Sequence, residues 1–315
     1  MLKYIAYRLA MLIPVLFGVA VIVFTLMYVT PGDPTATLLD ENATEAERQA
    51  LRRELGIDGS YLEQLWGFFV GLILHFDLGN SYVSGMPVID LIGSRMEATV
   101  ALAFWSTLVA AVVGIGLGMV AAMRPNSKLD DIVMTFSLFG VSMPNFWMGL
   151  LLMLLFSLYL GWLPAAGFNG WEYLILPVIT IATDSAAVIA RMTRSAMLEV
   201  LSLGYINTAR SKGQRESVVL FRHGLRTALM PIATTIGLQF GAMLGGALLT
   251  ETIFNIPGIG KLLVDSISSR DFPVVQGVVL VIALLFGVVN LLVDLAYAYI
   301  DPRVRTQFDL TRRTA

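Results

Sequence analysis

The residues with chemistry to offer are few. Among 315 residues there are two histidines, His75 and His223, and no cysteine. Thiolate metal sites, disulfides and cysteine nucleophiles are excluded, and two histidines this far apart do not make a histidine metal cluster. Asp184 and Asp294 differ, because each lies in or beside a long apolar run. An aspartate at the centre of a membrane helix costs roughly 2.5–3.5 kcal/mol to insert, so it faces a cavity or a partner. Such carboxylates can line a polar path or relay a proton. They can equally be structural, since Asp184 and Arg191 lie seven residues apart, on about the same helical face. Met143, Met148 and Met153 fit apolar filler better than a soft metal path. No nucleophile–base pair stands out, and no G-x-x-x-x-G-K-[ST] phosphate loop occurs.

A second group is cationic. Asn207 to Pro231 reads "NTARSKGQRESVVLFRHGLRTALMP", with Arg210, Lys212, Arg215, Arg222 and Arg226 against one acid, Glu216. Four uses are open to it. It can set topology and touch anionic headgroups, each cation contributing about 1 kcal/mol near the surface. It can bind nucleic acid, for which it lacks interleaved aromatics, or act as a calmodulin-type helix ligand. It can also dock a cytoplasmic protein: Ser202, Thr208 and Ser211 offer helix starts, and Gly213 divides two short helices into a compact knob.

These residues must be held by membrane helices. The chain is 57% hydrophobic and 14% charged, with a mean hydropathy of +0.75, which is no composition for a water-soluble domain. About 20 apolar residues cross a bilayer, and the pattern predicts six crossings at 9–29, 98–123, 132–163, 174–190, 228–250 and 274–293, with Pro144 a kink in the third. Lys3 and Arg8 precede the first run, which is too long for a cleaved signal and lacks a small-x-small site after it. With both termini cytoplasmic, fifteen of the 21 lysines and arginines fall inside and six outside, which favours that orientation. The cationic stretch then lies within a cytoplasmic loop, 191–227, and 30–97 is an external segment. There, Thr44 and Glu47 have capping-box spacing, and Leu65–Leu74 is too short to span, so it packs on the bundle or lies in the interface, where His75 ends it. Gly114 and Gly118, and Gly237, Gly241 and Gly245, recur at intervals of four, a spacing that brings helix backbones close within one chain or against a partner.

The cationic loop with its preceding "GYI" resembles the cytoplasmic EAA loop of ABC-importer permeases of the dipeptide, oligopeptide and nickel type. Asn207, Thr208 and Ala209 fall at the Glu-Ala-Ala positions and Gly213 at the family's glycine, while Leu225-Arg226 replaces the closing Leu-Pro. "TPGDP" (30–34), "FDLGNSY" (76–82), "VSMPNFWMG" (141–149), "ARMTRSAMLEVL" (190–201), "ETIFNIPGIGKLLVDSISSRDFPVVQG" (251–277) and "IDPRVR" (300–305) are similar to the same subfamily, in order, over residues 1 to about 305. The resemblance implies an all-α polytopic membrane protein with six transmembrane helices and the type I ABC importer permease fold, in the inner membrane of a bacterium or archaeon. It implies a second homologous permease as partner, two cytoplasmic ATPases that bind ATP and magnesium, and an external substrate-binding protein. This chain would touch lipid and no nucleic acid, bind no cofactor or metal itself, and catalyse no reaction. Nickel transport within the family gives His75 a conceivable metal role, with no second ligand beside it.

The residues implied to couple to the ATPases are Tyr205, Asn207, Thr208, Ala209, Gly213, Arg222 and His223. Those implied at an external gate are Pro257, Gly258, Gly260, Arg270 and Asp271; a plain connecting loop is the alternative there. Asp184, Asn145 and Gln239 are candidates for the cavity lining. The expected function is ATP-driven import of di- or oligopeptides, or a related small solute, by alternating access. The competing expectations are a proton-coupled secondary transporter using Asp184 and Asp294, and a membrane scaffold without transport.

Overall fold

The computed structural model describes residues 2–300 apart from 31, 33, 40–42 and 76. Parts of "TPGDP" and "FDLGNSY", most of "IDPRVR" and the four arginines after residue 300 therefore lie outside the described residues. The described chain is helical, with one isolated bridge between Asn80 and Pro87. Five helices are long and apolar enough to cross a membrane, and a bent pair makes a sixth if it is one crossing.

In chain order, α1 (Leu2–Val29) is followed by α2 (Thr35–Leu38), α3 (Glu45–Glu54) and α4 (Tyr61–Val70), the last widening into a π-helical turn at Gly71–His75. Then come α5 (Val88–Met123), α6 (Lys128–Ser142), α7 (Asn145–Leu152, continued as a π-helical turn over Met153–Tyr159) and α8 (Glu172–Leu201). The coupling region comprises α9 (Gly204–Ser211), α10 (Glu216–Val218) and a π-helical turn at Val219–Leu225. The remainder is α11 (Arg226–Gly246), α12 (Leu248–Ile253), α13 (Ile259–Ser268) and α14 (Phe272–Ile300).

The helices outrun the apolar runs at several ends. Helix α5 begins at Val88 rather than 98, and α8 runs to Leu201 rather than 190. Hydropathy marks the stretch that lipid tolerates, whereas the helix continues through Asp90, Ser94, Arg95 and Glu97, and at the other end through Arg191 and Arg194. The expected third crossing is two helices, α6 and α7, bent by 101°. Pro144 bars Met143 from helical geometry, and Met143 sits at φ −87, ψ 120. The proline thus produces a corner rather than a kink.

Two compact units follow. The first runs to Val100 and resumes over Gly245–Gly287. Its core gathers Val23 of α1, Val88 and Ile92 of α5, Ile259, Leu262 and Leu263 of α13, and Val274, Val275 and Val278 of α14. Helix α4 packs on α1 through aromatic contacts, Phe69 on Phe17 at 4.8 Å and Phe68 on Phe24 at 5.7 Å, with Tyr61 Oη 2.8 Å from Thr25 Oγ1. The too-short apolar stretch is therefore packing, not a crossing. Thr44 and Glu47 form the expected capping box on α3.

The second unit covers Ala101–Leu244 and resumes at Val288. Here α6 and α7 pack against α8. Gly114 and Gly118 bring α5 onto α8: a Cβ at Gly114 would fall 2.8 Å from the Ala186 carbonyl oxygen, and one at Gly118 would fall 2.5 Å from the Ala190 carbonyl oxygen. A Cβ at Gly237 would collide with Val293. Three of the four-spaced glycines thus serve packing within the chain.

Candidate functional site

The cationic loop folds as the two short helices its sequence suggests. Gly213 turns between them at φ +73, in the left-handed region where side chains other than glycine's are strained. Open space surrounds its Cβ position, so the requirement is conformational. Two ties close the turn. The Arg210 guanidinium donates to Glu216 at 2.7 and 3.2 Å, and His223 Nε2 lies 2.8 Å from Gln214 Oε1. The carboxylate of Glu216 holds the Arg210 pKa above its usual value. An ion pair this exposed adds little stability, so its effect is to shape the loop.

Tyr205 pins the start of the loop to its end: its hydroxyl donates to Thr227 Oγ1 at 3.0 Å and to the His223 carbonyl at 3.3 Å. Tyr205, Asn207, Thr208 and Arg222 are exposed, as a docking surface requires. Ala209 is not. It is 8% exposed and packs inside the knob, so its small size spaces the helices and does not reach a partner. The hydroxyls expected to start helices instead bond backwards: Ser202 to Glu199 O, Thr208 to Gly204 O and Ser211 to Asn207 O, at 2.7, 3.2 and 3.0 Å. Helix α9 begins after Leu203 without a side-chain cap.

The proposed gate residues group around two buried carboxylates in the first unit. One is Glu251, the first residue of the 251–277 stretch, to which the sequence alone assigns no role. Its side chain is fully buried and returns from α12 to the start of α13. Thr99 Oγ1 donates to Glu251 Oε1 at 2.6 Å and Lys261 N–H donates to Oε2 at 2.9 Å. Thr99 in turn accepts Ile259 N–H at 2.9 Å. The carboxylate therefore occupies the amino end of α13, where unpaired N–H groups and the helix dipole favour an anion. Gly258 and Gly260 make room for it. A Cβ at Gly258 would land on the Glu251 carboxyl group, and one at Gly260 would lie 2.6 Å from Leu248 Cα. Gly258 has φ −98, so space rather than backbone freedom calls for glycine. Pro257 is exposed on the same turn.

The second carboxylate is Asp271, 3% exposed, between α13 and α14. Its Oδ2 accepts the Ser81 hydroxyl at 2.5 Å and its Oδ1 accepts Tyr82 N–H at 3.0 Å. Burial, with the Asp271 charge beside it, pushes the Tyr82 phenol up to about 12. Arg270 adopts φ 56, and its guanidinium lies against Gly32. A cavity of about 1270 Å³ adjoins this corner, lined in part by Tyr28, Arg52, Gln64, Asn80, Tyr82 and Gln276.

The candidate lining residues are only partly brought together. Gln239 Nε2 donates to Ser185 Oγ at 2.9 Å, next in sequence to Asp184. Asp184 is partly buried on α8, seven residues before Arg191. Asn145 starts α7 immediately beyond the Pro144 corner. His75 is exposed at the end of the first π-helical turn.

Several helices long and apolar enough to cross a membrane, joined by a compact two-helix loop, define a multi-pass membrane protein. Residues 114–306 match the family described as "Binding-protein-dependent transport system inner membrane component", and residues 1–103 match the corresponding amino-terminal family. The glutathione transport system permease protein GsiC of Pectobacterium atrosepticum is 45% identical over 97% of this chain and 99% of its own length. That of Escherichia coli K12 is 42% identical over the same shares. Among solved structures, an inward-facing form of the MetNI methionine ABC transporter matches with a TM-score of 0.60 at 18% identity, covering 68% of this chain and 97% of that one. An amino acid ABC transporter with histidines matches with a TM-score of 0.54 at 16% identity, over 67% and 94%. These two likenesses are of fold. The chain belongs to the binding-protein-dependent transport system inner membrane component family. It is a permease subunit of an ABC importer, with the type I permease fold, in the inner membrane. It is not itself an enzyme; ATP hydrolysis lies with partner subunits.

Proposed function

We propose that this subunit imports short peptides, glutathione among them, handed over by an external binding protein. The observation that carries this is the likeness to glutathione permeases along nearly the whole chain, 45% identical over 97% of it. In this reading the chain pairs with a second, similar permease. The loop from Gly204 to Leu225 seats in a groove of a cytoplasmic ATPase, both termini are cytoplasmic, and the residues around Glu251 and Asp271 close the outer mouth. ATP-driven closure of the ATPases draws the loops together and turns the cavity outward; hydrolysis resets it inward. Tyr205, Asn207, Thr208, Arg222 and His223 supply the loop's face and its closure, Ala209 and Gly213 its shape.

Uptake into proteoliposomes holding the assembled transporter and its binding protein tests this. Labelled glutathione and a set of dipeptides should enter, vanadate should stop entry, and a protonophore should not. Entry that survives vanadate and collapses with the protonophore would return the work to Asp184 and Asp294. Vanadate-sensitive uptake of an unrelated solute, with no peptide entering, would overturn the substrate class alone.

A further inference from the structure

The turn between α5 and α6 is organised by Asp130. The Ser127 hydroxyl donates to the Arg124 carbonyl at 2.6 Å and caps α6, while Asn126 takes φ 58, a conformation asparagine tolerates. The Asp130 carboxylate is 2% exposed and accepts three donors. Arg194 Nε and Nη2 approach at 2.5 and 2.6 Å, and Asn126 N–H at 2.9 Å. This is the two-pronged match that arginine makes with a carboxylate and lysine cannot.

Arg194 sits on α8 just before the coupling loop. Met197, one turn further on, is buried, and its Cε would lie 3.1 Å from a Cβ placed at Gly224 in the π-helical turn that closes the loop. Leu201 approaches the same point at 3.6 Å. One short stretch of α8 thus holds the α5–α6 turn through an ion pair and the loop through apolar contact. Stability alone does not call for an ion pair here, because a well-packed apolar pair is generally as stable as a desolvated one. A fork of hydrogen bonds adds a single fixed register between two elements.

We propose that Asp130 and Arg194 are positioning residues that clamp α8 to the α5–α6 turn, so that movement of the loop shifts these helices together and is not lost in bending of α8. The proposal rests on the reading of the loop as the ATPase contact and assigns a role to residues outside it.

The test uses the complete transporter in proteoliposomes, scoring assembled complex, ATP hydrolysis with and without loaded binding protein, and solute carried per ATP. Arg194→Lys keeps the charge and loses the fork. The double variant Asp130→Leu/Arg194→Met removes both charges and should assemble. In both, hydrolysis should persist while solute carried per ATP falls on the order of tenfold, as expected from losing a charge-assisted hydrogen bond. If the apolar pair transports with normal coupling, or if it fails to assemble, the pair serves the fold and the positioning role is wrong. Gly213→Trp, run in parallel, separates the two ideas. If it leaves the ATPases bound and transport coupled, the loop reading fails; if it uncouples while the apolar pair does not, only the clamp fails.

Discussion

Glu251 offers the sharpest test of the gate. Replacing it with alanine leaves two donors without their acceptor: the Thr99 hydroxyl and the N–H group of Lys261. Each unpaired buried group costs about 1–3 kcal/mol. Relief of the buried carboxylate's own desolvation offsets part of that sum. The net loss should therefore be near the 3–5 kcal/mol typical of breaking a buried charged contact on one side. Glu251→Gln is milder. Its amide oxygen can keep the Lys261 N–H donor, but its NH₂ group meets Thr99 Oγ1, which already accepts Ile259 N–H. The hydroxyl must then turn away, costing about one buried hydrogen bond, 1–3 kcal/mol. Thr99→Val should cost a similar amount, since it strips one oxygen from the carboxylate's partners and orphans Ile259 N–H.

The assay is thermal inactivation of the assembled transporter in detergent, followed by loss of monodisperse complex and of ATPase activity. The expected order is wild type above Glu251→Gln and Thr99→Val, with Glu251→Ala lowest. Burial raises the Glu251 pKa above 4.5, against the lowering effects of Thr99, Lys261, Gly260 and Arg95. The fold therefore binds this proton more tightly than the unfolded chain does. The stabilisation is complete below 4.5 and is lost as pH rises through the folded pKa. The margin of wild type over Glu251→Gln should be widest at low pH and shrink as pH increases. An alanine variant as heat-resistant as wild type would refute the account of a buried carboxylate holding α12 to α13, and a margin growing with pH would show that its hydrogen bonds outweigh its burial.

The remaining predictions concern topology, the outer segment and the loop. In this cysteine-free chain, a cysteine at Ala43 should react with an impermeant thiol reagent in intact cells and one at Ser211 should not; the reverse pattern would invert the orientation. Replacing Ala43–Leu55 with a Gly/Ser linker should reduce uptake while insertion and pairing persist, if this external segment with its excess of acidic residues contacts the binding protein; unchanged uptake at every binding-protein concentration would leave it a packing role. Gly213→Trp should prevent ATPase co-purification, whereas Arg215→Glu should cost only about 1–2 kcal/mol of headgroup attraction. Retention of the ATPases by the tryptophan variant, with loss in the glutamate variant, would make the loop a lipid anchor.

What the sequence could reveal divides by distance along the chain. The apolar runs, the capping box at Thr44 and the turn at Gly213 depend on residues within a few positions of one another, and each was readable from pattern; Pro144 was readable as an interruption, though not as a corner of 101°. The π-helical turns were not, since no residue spacing distinguishes them from α-helix. Of the buried carboxylates, Asp271 was named through its motif, whereas Glu251 and Asp130 were missed as sites because their partners are remote: Thr99 is 152 residues from Glu251, and Arg194 is 64 from Asp130. Asp184 drew attention because it stands in an apolar run, while Glu251, at the edge of one, did not.

The glycines show why residue type underdetermines role. Gly213 and Gly258 both stand at a turn between short helices, and both fall within recognisable motifs. Gly213 has a left-handed backbone and an empty Cβ position, so alanine there would cost backbone strain of roughly 1–2 kcal/mol and meet no neighbour. Gly258 has an ordinary backbone and a Cβ position occupied by the Glu251 carboxyl group, so alanine there would displace the carboxylate from α13. The first glycine is required by its own dihedral angles, the second by a residue seven positions earlier. Shortening that residue should therefore make room: Gly258→Ala ought to be better tolerated beside Glu251→Ala than beside the native glutamate. No such relief is expected for Gly213→Ala, whatever its neighbours become. Measured as heat resistance of the assembled complex, additive losses at Gly258 and Glu251 would show that the glycine is not there to admit the carboxylate.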